Sequence, residues 1–77
     1  MLHYQDHITS NRQVMLGKPV IKGTKITVEL ILKKMAEGAK IEDILLSYLH
    51  LKADSILACL IYTSEVIAHE EVIPLEA

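Results

Sequence analysis

The sequence predicts a mainly α-helical domain, a three-helix helix-turn-helix-like unit with a short N-terminal β-hairpin, in a single domain of 77 residues. Three observations predict it. A stretch punctuated by glycine and proline, Gly17 to Val28 (GKPVIKGTKITV), alternates as a hairpin does. A helical apolar period follows over 28–37. Two more, 41–48 and 53–68, are separated only by Leu49-His50-Leu51-Lys52, a connection of helix-turn-helix length.

Taken in order, Met1 to His7 has no usable period. Residues 1–7 and 70–77 are expected as flexible tails about a core of 8–68, with Leu2 and Tyr4 able to pack once the domain is present. Ile8-Thr9-Ser10 reads as a short edge strand and Asn11 to Gln13 as a turn, with Val14-Met15-Leu16 leading into the central stretch. There Gly17 supplies a φ that other residues avoid, and Pro19 fixes its own φ and pushes Lys18 into an extended conformation. Gly23-Thr24 is a Gly-X pair of the kind that makes a two-residue type II′ turn. That register sets Lys22 against Lys25, Ile21 against Ile26 and Val20 against Thr27, giving one apolar and one basic face.

The first helix has Thr27 as its N-cap, Glu29 in the first turn within reach of Lys33, and Gly38 as the C′ residue; Val28, Ile31, Leu32 and Met35 form its stripe. The second opens with Glu42 and Asp43 and buries Ile41, Ile44, Leu45 and Tyr48. The third is expected to turn Ile56, Leu57, Leu60, Ile61, Ser64 and Ile67 inward, leaving Cys59, Tyr62 and Val66 as a second apolar strip. Leu30 and Leu46 also lie off the core stripes. With 51% hydrophobic residues and a mean hydropathy of +0.29 in so short a chain, this surplus points to an interface, expected as a homodimer through Leu30, Leu46, Cys59, Tyr62 and Val66.

One cysteine allows no internal disulfide, no leader pattern is seen at the N-terminus, and no apolar run approaches a membrane span, so a cytoplasmic protein without membrane attachment is expected. The net charge of −2 argues against indiscriminate nucleic-acid binding, but the charge is segregated. Residues 1–40 carry seven Lys/Arg against three Asp/Glu, and residues 41–77 carry one against seven.

The side-chain chemistry is sparse. His3 and His7 have a metal-pair spacing but no helix to present it, so neither a metal nor another cofactor is expected. Cys59 has no His or Lys at helical neighbour spacing, no carboxylate pair converges, and neither phosphate-loop pattern is present, so the chain does not read as an enzyme. Residues 53–66 hold no Arg, Lys, Asn or Gln and are poorly equipped to read bases. Arg12, Lys18, Lys22 and Lys25 are instead the candidates for contact with DNA phosphates, against the simpler use of lysine to keep an edge hairpin soluble.

GKPVIKGTKITV, followed by ELILKKMAEG and IEDILLSYLHLKADSILACLIYTSEV, resembles the domain-of-unknown-function family 433 (DUF433) across about 8–66. The motif carriers are Gly17, Pro19, Gly23 and Thr24. Lys25 stands where the family pattern has Arg, Leu49 where a Pro follows Tyr48, and Lys40 and Lys52 where Ser/Thr caps are usual. The resemblance implies a small helix-turn-helix-like protein of the antitoxin kind, with a PIN-type nuclease toxin as partner and its own promoter as a second target. The other reading is a protein-interaction module without DNA binding.

Overall fold

The computed structural model describes residues 2–69, so the expected tail 70–77 lies outside the described residues. Its elements are β1 (Ile8–Thr9), β2 (Val20–Ile21), α1 (Val28–Ala36), α2 (Ile41–Ser47) and α3 (Ala53–Ala68), with a 3-10 turn at Tyr4–Asp6. The fold is mainly helical: three helices behind a two-stranded antiparallel hairpin, with Ile8 opposite Ile21 and Thr9 opposite Val20.

The strand that pairs with β2 is therefore the N-terminal one. The second arm of the expected hairpin survives as a single bridge between Val20 and Thr27, in the expected register, with the Ile21 N–H donating to the Ile26 carbonyl at 3.0 Å. The turn sits one residue earlier than a Gly23-Thr24 pair would put it, because the Thr24 N–H donates to the Ile21 carbonyl and makes Lys22-Gly23 the central pair. Gly23 has φ +77°, the sign that the third position of a type II turn demands. The Thr24 hydroxyl closes the loop, donating to the Ile21 carbonyl at 2.7 Å and accepting from the Ile26 N–H at 3.0 Å. Val20 and Ile21 are both buried, so this strand is covered on both sides and does not split into one apolar and one basic face.

The helix ends follow local chemistry. The Thr27 hydroxyl accepts from the Leu30 N–H at 3.0 Å, capping α1. At its other end the Gly38 N–H reaches the Met35 carbonyl and the Ala39 N–H the Lys34 carbonyl, a Schellman closure that Gly38 permits with φ +105°. Asp43 accepts from the Lys40 N–H at 2.8 Å and so caps α2 without the usual Ser or Thr. The core gathers Ile8, Ile21, Val28, Ile31, Ile44, Leu51, Ile56, Ala58 and Cys59. Within the N-terminal stretch Leu2 and Tyr4 pack against this cluster, as their apolar side chains allow, and the Tyr4 ring meets Tyr62 edge-on at 5.5 Å.

Candidate functional site

Two surfaces stand out, one apolar and one basic. The apolar one is the outward face of α3, and it overturns the expected orientation of that helix. Ser55, Ile56, Ala58 and Cys59 are buried, with Tyr62 and Thr63 half-buried behind them. Leu57, Leu60, Ile61 and Ile67, expected inside, are instead 36–61% exposed. With Ser64 they recur at the spacing of one continuous helix face. Cys59 and Tyr62, expected at an interface, face the monomer's own core.

The reason is packing distance. α3 lies against the N-terminal turn, β1 and α1, and small side chains such as Ser55, Ala58 and Cys59 let its backbone approach them where leucines would not fit. Thr63 tolerates partial burial because its hydroxyl donates to the Cys59 carbonyl at 2.8 Å. Of the other interface candidates, Leu46 is exposed at 75%, Val66 is exposed at the edge of α3, and Leu30 is half-buried. Beside the α3 face, Pro19, Val28, Leu32, Tyr62 and Val66 line an apolar recess of about 320 Å³, with Lys18 and Glu29 at its mouth.

The basic surface lies where the hairpin meets α1. Lys18, Lys25 and Lys33 border one shallow recess of about 290 Å³ with Met15 and Leu30. Lys18 is not free within it, since its Nζ sits 3.2 Å from Glu29 Oε1, the carboxylate expected to pair with Lys33. Lys22 and Arg12 are exposed outside that recess. The candidate DNA contacts thus do not form one cluster: the structure joins Lys18 and Lys25 to Lys33, a helix residue outside the expected set. The signal for Lys33 was its spacing of four from Glu29, which puts both on the side of α1 that borders the corner. Lys34 turns away and lies over the Tyr48 ring at 5.9 Å from its centroid.

Among the described residues no three His, Cys, Asp or Glu side chains lie close enough to share a metal ion. Burial pushes the Cys59 thiol up to about 11, away from the thiolate that nucleophilic chemistry needs. No helix among the described residues is long and apolar enough to cross a membrane.

Comparison with known proteins agrees with this architecture. No curated protein matches the chain. A crystal structure of a DUF433 member protein from Anabaena variabilis is similar to it, with a TM-score of 0.78 and 25% sequence identity over 83% of this chain. The chain spans 63% of that protein's length, so what the longer protein does as a whole does not transfer automatically. The family described as "Protein of unknown function (DUF433)" matches residues 8–63. That match runs from β1 through the Gly17–Val28 turn and both capped helices to the buried side of α3. The chain belongs to the DUF433 family.

Proposed function

We propose that this chain is a small regulatory protein of the antitoxin type, a binding protein and not an enzyme, which acts by docking on a partner protein. The observation that carries this reading is the apolar outward face of α3. A surface helix of a self-sufficient domain places polar residues outward. Here four large aliphatic side chains, Leu57, Leu60, Ile61 and Ile67, are each more than a third exposed on one helix, in a pattern continuous enough for another helix to cover. The family resemblance supplies the class of partner, a PIN-type nuclease, and a cytoplasmic setting accords with a single buried thiol.

The test is affinity purification of the tagged chain from native lysate, in parallel with a Leu57→Gln, Ile61→Gln double variant. Retention of a nuclease by the native chain and its loss from the variant support the reading. Retention by both, or a partner that is not a nuclease, contradicts it.

The Lys18–Lys25–Lys33 corner favours a second role, contact with DNA phosphates. Each contact releases about one counterion, so log affinity falls against log salt with a slope near −0.9 per phosphate. Replacing Lys25 and Lys33 by Gln is expected to flatten the slope by about 2 and to weaken all sequences alike, because phosphate contacts position without reading bases. Absence of binding to the upstream DNA at low salt leaves the chain as an interaction module alone.

A further inference from the structure

We infer that the outward face of α3 receives an amphipathic helix of a partner protein that carries lysine or arginine along one flank, and that a second copy of this chain is not its occupant. The inference rests on the protein-docking reading above and specifies the chemistry of what docks.

The face is not uniform. Asp54 and Glu65 lie eleven residues apart, which is three turns and therefore one edge of the helix, about 16 Å from end to end. Both are exposed, and α3 from Ala53 to Ala68 contains no lysine or arginine. The one side chain paired with either acid among the described residues is His69, whose Nε2 is 3.7 Å from Glu65 Oε2. The helix thus presents an apolar strip with an acidic border on one side. A partner helix with an aliphatic seam covers the strip, and cations on its flank meet the border and fix its direction.

A second copy fails the same test. An antiparallel twofold pairing of α3 on α3 brings the acidic edge of one helix to the same edge of the other, where like charges oppose association, and a parallel one sets that edge against the opposite border, where α3 has no lysine or arginine to meet it. The strip is also short. A 16-residue helix is about 24 Å long, and one helix-on-helix contact of that length falls below the roughly 800 Å² per partner of a standard stable interface. Without favourable charge it has little to hold it.

The experiment titrates the full chain with two synthetic amphipathic helical peptides that share one Leu/Ile seam, one flanked by Lys and the other by Glu, followed by fluorescence anisotropy. Sedimentation of the chain alone runs alongside. The Lys-flanked peptide is expected to bind at least about tenfold more tightly than the Glu-flanked one, and to weaken with added salt. Asp54→Lys with Glu65→Lys, surface changes that leave the core untouched, is expected to reverse the preference. Leu57→Gln with Ile61→Gln is expected to weaken both peptides about tenfold or more.

Equal affinities, no binding of either peptide, or a preference unmoved by the charge reversal overturns the inference. A homodimer at micromolar concentration that Leu57→Gln with Ile61→Gln dissociates also overturns it, by assigning the face to a second copy, and leaves the docking reading standing. If that variant changes neither peptide binding nor nuclease retention, the docking reading falls as well.

Discussion

Gly23 carries the turn between β2 and α1 through its φ of +77°, and nothing lies within 4 Å of where a Cβ would sit. A substitution there meets only backbone strain, so Gly23→Val is expected to destabilise the fold by about 1 kcal/mol or more, read from the unfolding midpoint. An unchanged midpoint would place the strain elsewhere. The need for glycine was legible in the sequence; the turn type was not, because Thr24 takes the Ile21 carbonyl with both its N–H and its hydroxyl and draws the turn back by one residue.

Less legible still was the loop before it. Met15 and Leu16 take φ of +49° and +57°, a region that neither residue type favours, and Leu16 is 93% exposed. Leu16→Gly removes that penalty and little contact, so stabilisation by about 1 kcal/mol is expected in the same assay. Cys59 gives a pH signature. Its folded-state thiol is raised to about 11 from the ordinary 9.0, so the folded protein resists ionisation that the unfolded chain accepts. Its contribution to stability is complete below pH 9 and is lost as pH rises from 9 towards 11. Chemical denaturation across that window should show the decline, and Cys59→Ala should flatten it.

At the scale of elements, helix positions were readable because caps announce themselves in residue types. Thr27, Gly38 and Asp43 each make the hydrogen bond or φ that their position requires, and α1, α2 and α3 begin and end within a residue or so of the periodic stretches. The facing of α3 was not readable. When two sides of a helix are apolar, the period gives no phase, and the rule that large side chains go inside chose the wrong one. Close packing chose instead: Ser55, Ala58 and Cys59 admit the N-terminal turn and β1, while Leu57, Leu60 and Ile61 are left outside. Had the weight been placed on the run of small residues, the phase would have followed. Ile56 is fully buried at the centre of the inward face. Ile56→Ala is expected to cost about 2–5 kcal/mol in equilibrium unfolding, and a cost under about 1 kcal/mol would show that this face is not the core.

Across the whole molecule the two charge territories of the sequence become two places. Lysines border the corner between the hairpin and α1, and acids border the exposed side of α3. On the reading proposed above, an anionic partner would meet the first place and an apolar, cation-flanked one the second. The central claim is that the aliphatic face of α3 serves recognition and not the fold, and the most direct measurement takes the unfolding midpoint and the retained nuclease from one preparation of the Leu57→Gln, Ile61→Gln protein. The predicted result is a midpoint within about 1 kcal/mol of the native chain, as for surface positions, together with loss of the nuclease. A collapse in stability, which would return these residues to the core, or full retention of the nuclease by a stable variant, would contradict it.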